Sequence, residues 1–323
     1  MRYRTFGRTG WRVGEVGYGM WGMSGWTGSD DVQSRRSLEA AVTRGVNFYD
    51  TAQSYGEGHS ELLLGRLIAA NRDKRLYAAT RIPPLDRSWT GSPDVRVSDV
   101  FPRDHVRRCV DISAANLGIP TIPLLMLQGW SETWLASGEL QRTMAELKKE
   151  SLIRTFGISL PRGRPESGLR AVESGFVDAV QVVYNIFDQG AADELLPACR
   201  RNDVAVIARS PLDEGSLAGA LSMGSHWPDD DWRSRYFTPE NLAESVIRSD
   251  DLWPLIPPGA TMAQMALRFV LSNPCVTTVI PGMRQAANVE ADTSASDAGP
   301  LPGDLVEELA RHRWDRAPVT DAW

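Results

Sequence analysis

Residues 47–61 read NFYDTAQSYGEGHSE, and the interpretation of the whole chain turns on this stretch. Apolar residues run up to Asp50, a short polar link follows, and Tyr55 stands just before a glycine-flanked helix start. Residues 46–51 have the composition of a buried strand, and Ser60 onward has helical spacing. A carboxylate at a strand end and a phenol in the link behind it are chemistry-bearing groups at one end of a sheet.

Working outward, the same alternation repeats. Strand candidates fall at 15–20, 46–51, 75–80, 122–127, 152–159, 178–185, 204–210 and 277–282, with amphipathic helical patterns between them. Eight strands, each followed by helical sequence, predict a single-domain (β/α)8 TIM barrel over residues 1–323. Residues 224–241 read as a long loop after the seventh of these strands. The segment beyond Asn288 reads as a surface helix with a trailing tail. A doubly wound sheet competes, because Gly17, Gly19 and Gly22 spell G-x-G-x-x-G. That fingerprint needs the glycines to open a helix, and here they lead into MSGWTGSDD, which has no helical period. They read as a flexible loop.

The bulk properties exclude several classes. A net charge of -6 and a pI near 5.4 argue against a nucleic-acid surface. No apolar run reaches the roughly 20 residues that span a bilayer, and MRYRTFGRTG lacks the apolar core of a signal peptide. The three cysteines, Cys109, Cys199 and Cys275, are scattered, so neither disulfides nor a metal are expected. The expectation is a cytoplasmic enzyme with a small-molecule substrate.

In barrels, chemistry sits at the C-terminal strand ends and in the loops behind them. Those positions hold Asp50, Tyr55, Arg81, Gln128, Ser159, Gln181, Tyr184, Asn185, Ser210, Gly282 and Arg284. The set offers a phenol, a carboxylate, fixed cations and amides. It contains no metal-ligand cluster and no Ser-His-Asp or Cys-His pair.

In order along nearly the whole chain, RTFGRTGWRVGEVGYGMWG, GVNFYDTAQSYGEGHSELLLG, AATRI, LIRTFGIS, VQVVYNIFD, ARSPLDEGSLAG and VIPGMRQAANVE resemble the aldo-keto reductase family. The resemblance implies a barrel that binds NADPH in extended form, with NAD as the alternative, and moves a hydride to an aldehyde, ketone or sugar-like carbonyl. It implies Tyr55 as general acid and Asp50 as partner of the cation beside it. Ser159 and Gln181 would hydrogen-bond the nicotinamide carboxamide, with Tyr184 stacked on its ring, and Trp21 would also contact the cofactor. Backbone N–H groups of Leu212, Gly215, Ser216 and Leu217 would wrap the pyrophosphate and Arg284 would clamp the 2'-phosphate, with Ser210 and Gly282 also contacting the cofactor. Asn288 and Asp292 would lie near the adenine, where Asp292 would add an unfavourable negative charge.

Two departures touch the reaction centre. Where the family carries Lys and His, this chain has Arg81 and Gln128. Arg81 keeps a positive charge, suited to a bidentate grip on Asp50, but takes no part in proton relay. Gln128 stays neutral, though its amide polarises a carbonyl. Leu160 replaces an Asn that would contact the carboxamide. Of the histidines, His59, His105 and His312 read as helical surface residues, and His226 as a candidate at the mouth. Trp21, Trp26, Trp89, Trp130, Trp227 and Trp232 lie in loops that would line an aromatic pocket. Two other outcomes fit these departures: an NADP-binding regulatory protein with negligible turnover, and a non-redox lyase or isomerase on the same scaffold.

Overall fold

The computed structural model describes residues 1–24, 29–86, 95–229 and 231–314. Its core is a parallel barrel. The strands β3 (Tyr18–Gly19), β4 (Phe48–Asp50), β5 (Tyr77–Ile82), β6 (Ile122–Gln128), β7 (Ile153–Ser159), β8 (Ala179–Val183), β9 (Ala205–Arg209) and β10 (Thr278–Val279) follow one another in spatial order. Two parallel bridges, Val16 to Val279 and Gly19 to Gly282, close the ring. Each of the eight segments expected from the sequence overlaps one of these strands, β5 and β6 running past the expected ends.

Closure explains the glycines of the false fingerprint. A Cβ on Gly19 would lie 2.7 Å from the Ile280 carbonyl oxygen, so only glycine lets the first and last strands meet. The chain then makes a single 3-10 turn, Trp21–Met23, and the next helix starts only at Asp31. Among the described residues no helix opens directly at these glycines, so they do not form the strand–turn–helix of a doubly wound sheet.

An antiparallel hairpin, β1 (Tyr3–Phe6) with β2 (Trp11–Gly14), precedes the barrel. It is not among the elements expected from the sequence. Phe6 and Val13 join the barrel's inner cluster with Phe48, Tyr77, Ala79, Leu124, Met126, Ala179, Ala205, Ile207 and Ile280. Trp11 stacks on Tyr77 at 4.7 Å and Phe6 on Phe48 at 5.3 Å. The hairpin therefore stops the N-terminal end of the barrel with aromatic rings, leaving the other end for chemistry.

A second, larger apolar layer lies between the strands and the surrounding helices, with Val180, Val182, Val206 and Ala208 on its strand side. The two layers show the period-2 alternation of a barrel. The segment expected as a plain loop is partly helical. Asp231 caps a short helix, Trp232–Tyr236, and Thr238 followed by Pro239 starts a longer one, Pro239–Asp250. Cap residues with Pro at the first helical position are start signals. The chain after Gln285 forms two helices, Ala286–Ala298 and Gly303–Ala310, where one was expected. Among the described residues no helix is long and apolar enough to cross a membrane.

Candidate active site

The inner cluster supplies the register for the site. Two residues beyond Phe48, Ala79, Met126, Ala179 and Ile207, on the same face of each strand, come Asp50, Arg81, Gln128, Gln181 and Arg209. The polar groups are thus the last inward-facing layer of the barrel. They line a cleft of about 320 Å³ together with Gly19, Trp21, Tyr55, Ser159 and the 209–215 and 280–284 segments.

Tyr55 reaches this layer from the link behind β4. Gly56 and Gly58 hold left-handed φ values of 61° and 89°, conformations open to glycine at little cost. A Cβ on Gly56 would also lie 2.4 Å from the Ser24 carbonyl oxygen. The turn is held from beneath. Glu61 is fully buried and accepts hydrogen bonds from Thr80 at 2.5 Å and Asn116 at 2.9 Å, fixing the helix His59–Ala70 to β5. The last residue of the opening motif is structural.

Arg81 is the hub. Its Nη2 donates to Asp50 Oδ2 at 3.0 Å and to the Tyr55 phenolic oxygen, while Nη1 donates to Gln181 Oε1 at 2.9 Å. Gln181 Nε2 donates to Asp50 Oδ1 at 2.7 Å, closing a ring of three side chains. The expected bidentate grip on Asp50 is therefore not what forms. The carboxylate is gripped by two different residues, because the wide guanidinium reaches across the barrel to β8. Ser159 donates to the same Gln181 oxygen at 3.1 Å.

Burial pushes both the Asp50 carboxyl and the Tyr55 phenol up, while the charge on Arg81 pulls each back, with a smaller pull from Arg209. Burial works against the charge of Arg81 in turn, but Asp50 and Tyr55 outweigh it and hold the guanidinium protonated. The phenol is consequently a proton carrier at neutral pH, next to a permanent cation. Gln128 accepts a hydrogen bond from Ser54 Oγ at 2.9 Å on its carbonyl oxygen, so what it presents to a ligand is its N–H donors.

Twelve of the residues expected from the sequence line this one cleft: Trp21, Asp50, Tyr55, Arg81, Gln128, Ser159, Gln181, Ser210, Leu212, Gly215, Gly282 and Arg284. Five others do not. Tyr184 packs outward, its ring 6.0 Å from Phe269 in the helix Met262–Ser272. Gln181 and Tyr184 are three apart, and strand alternation sends such a pair to opposite faces. Ser216 and Leu217 are fully buried beneath the loop, where Leu217 N–H already donates to the Leu212 carbonyl oxygen at 3.1 Å. Gly215 lines the cleft, but its N–H donates to the same carbonyl at 2.9 Å. Asn288 is exposed on the helix Ala286–Ala298.

Asp292 is 5% exposed on the inner side of that helix, and burial pushes its carboxyl up to about 7. It adds no charge to the cleft wall. Between about pH 4 and 7 the folded protein keeps a proton on Asp292 that the unfolded chain has lost. This contribution to stability is full below pH 4 and is lost as pH rises through about 7. Asp292→Asn removes the penalty, so urea denaturation should show the variant gaining roughly 3 kcal/mol on the wild type between pH 5 and pH 8. A gain that does not depend on pH would contradict this account.

Four charged residues of the cleft wall are absent from the sequence-based set: Arg162, Arg209, Glu214 and Arg233. Arg209 is legible by counting two residues on from Ile207 along β9. Arg162 donates to Glu214 at 2.7 Å and to Ser210 at 3.3 Å, tying the loop after β7 to the loop after β9. No short motif announces that pairing. Ser210 and Glu214 sit at φ 48° and 56°, left-handed values that are uncommon for residues with a side chain.

The other aromatic and histidine candidates divide. Trp21 and Trp232 line the cleft. Trp130 is buried and donates to the Ser167 carbonyl oxygen at 2.9 Å, and Trp227 stacks on Phe237 at 4.7 Å. Trp26 and Trp89 lie outside the described residues. His226 is exposed and bonded locally to the Gly224 carbonyl, so it does not reach the cleft. His59 pairs with Asp31 at 2.8 Å. Among the described residues no group of three or more His, Cys, Asp or Glu is placed to hold a metal ion.

The chain has relatives among known proteins. The chain is 25% identical over 328 residues to an NADH-specific methylglyoxal reductase of Escherichia coli, covering 96% of this chain and 98% of that one. It is 26% identical over 323 residues to the NADP(+)-labelled aldo-keto reductase yakc of Schizosaccharomyces pombe, covering 96% and 91%. The structure superposes on an aldo-keto reductase of Bacillus halodurans, in holo form, with a TM-score of 0.77 at 22% identity and 98% coverage of both chains. A sequence model described as the Aldo/keto reductase family matches residues 15–313, nearly the whole barrel with its cleft, and the chain belongs to that family of oxidoreductases.

Proposed function

We propose that the protein reduces a small carbonyl compound with NADPH, Tyr55 acting as the proton donor. The observation that carries this reading is the Tyr55 phenol held against the Arg81–Asp50 pair in the wall of a single cleft. A reduced nicotinamide bound there supplies the hydride. Tyr55 gives its proton to the carbonyl oxygen as negative charge develops on it. Arg81 donates to the Tyr55 oxygen and so stabilises the phenolate left behind. Gln128 adds amide N–H donors toward the same oxyanion. Because Arg81 does not deprotonate, the phenolate regains its proton from solvent and not by relay.

Several features of the chain suit a dinucleotide. Five arginines, Arg81, Arg162, Arg209, Arg233 and Arg284, face two carboxylates, Asp50 and Glu214, in the cleft wall, which complements a polyanion. Arg284 lies directly over Gly22, where a Cβ would come within 2.7 Å of its Cδ. A guanidinium in that place suits a 2'-phosphate and favours NADPH over NADH. Gln181 Oε1 accepts from Arg81 and Ser159 and one Nε2 hydrogen goes to Asp50, so its second Nε2 hydrogen is its donor toward a carboxamide.

Titration with NADPH, followed by the fluorescence of the tryptophans in the cleft wall, is expected to saturate, with NADH binding more weakly. The same sample should then consume NADPH in the presence of at least one member of a panel of aldehydes, ketones and sugars. Binding with no consumption across the panel would favour the regulatory reading. Conversion of a substrate with no net change in the nucleotide would favour the lyase or isomerase.

A further inference from the structure

Arg209 occupies the last inward-facing position of β9, two residues beyond Ile207 of the inner cluster. It lines the cleft with Asp50, Tyr55, Arg81 and Gln181, and its charge acts on both Asp50 and Tyr55. Its position is held by a hydrogen bond from Nη2 to the Leu160 carbonyl oxygen at 3.1 Å. Arg81 and Arg209 thus both line the wall beside the proton donor, together with the Asp50 carboxylate.

The two redox states of a nicotinamide dinucleotide carry the same phosphates and riboses. They differ at the ring, which is cationic when oxidised and neutral when reduced. Contacts to the phosphates, including those of Arg284, cancel from the ratio of the two affinities. A fixed positive charge near the ring does not cancel, because in a partly desolvated cleft like charges at several ångströms repel appreciably. We infer that Arg209 is a redox-state selectivity residue, making the cleft hold the reduced nucleotide in preference to the oxidised one. The inference rests on the dinucleotide reading above and deepens it. Preferential binding of the reduced form makes the bound couple easier to reduce than the free couple. It also helps oxidised nucleotide leave after turnover in the reductive direction.

The test is a pair of equilibrium titrations of the full chain, one with NADPH and one with NADP⁺, at fixed ionic strength. The wild type is expected to bind NADPH about tenfold more tightly than NADP⁺, a ratio that corresponds to about 30 mV in a two-electron couple. Arg209→Gln should bring the ratio close to one, chiefly by tightening NADP⁺. Arg209→Lys, which keeps the charge, should preserve most of the bias. A side chain with only a structural role would instead weaken both nucleotides together. Equal affinities in the wild type, an unchanged ratio in Arg209→Gln, or parallel loss of both affinities would overturn the inference while leaving the dinucleotide site standing. Absence of binding by either nucleotide would overturn that site, and the inference with it.

Discussion

Tyr55→Phe is expected to lower kcat for carbonyl reduction by about 10² to 10⁴ fold while nucleotide affinity stays within roughly twofold of the wild type. The substitution removes one oxygen. That oxygen is both the proton source and an acceptor for Arg81 Nη2, and Arg81 keeps its bonds to Asp50 and Gln181 when it is gone. The barrel end should therefore remain assembled, with a cost of about 1 kcal/mol for the lost hydrogen bond. Steady-state kinetics with a saturating carbonyl, combined with the NADPH titration, separates the two effects. A variant with wild-type kcat would remove Tyr55 from the chemistry. A variant that no longer binds nucleotide would show that the phenol holds the cleft in shape.

The second large effect concerns stability. Asp50 and Arg81 are 3% and 7% exposed and lie 3.0 Å apart. Removing one member of such a pair strands the other charge in a poorly solvated site, at a cost of about 3–5 kcal/mol. Asp50→Asn should therefore lower the urea midpoint markedly, because Arg81 cannot discharge by losing its proton. The double variant Asp50→Asn/Arg81→Gln removes both charges of the pair, leaving Arg209 as the cation beside them, and should recover most of the loss. If the double variant is less stable than the single one, the pair is held by packing and hydrogen bonds more than by charge. Both variants should be poor catalysts, so stability and not rate is the informative readout.

Much of this site is legible in the order of residues along the chain. Asp50, Tyr55, Arg81, Gln128, Ser159 and Gln181 come to one cleft because each sits at, or just behind, the C-terminal end of a strand that composition alone marks as buried. Strand existence is a local property of β-branched and apolar runs, and their order along the chain limits a closed parallel sheet to one arrangement. The N-terminal hairpin escapes such a reading because its strands are four residues each and their burial depends on Phe48 and Tyr77 far along the chain. The helices in the expected loop after β9 escape in part because their caps, Asp231 and Thr238, look like ordinary loop polarity.

Which face a strand residue presents is settled differently. Tyr184 and Arg209 are both polar-tipped residues near strand ends, and nothing about either in isolation tells which one looks into the barrel. The register of β8 and β9, Ala179 against Ala205 and Gln181 against Ile207, sends Arg209 in and Tyr184 out. Likewise the pairing of Arg162 with Glu214 joins loops 52 positions apart, and the splitting of the Arg81 fork between Asp50 and Gln181 spans 100 positions on the β8 side. The amino-acid sequence by itself determined the barrel, its family and the candidate proton donor, because those follow from local composition and a contiguous motif. Only the tertiary structure decided the cleft's electrostatics, because charge–charge energies depend on distances between residues that chain order does not encode.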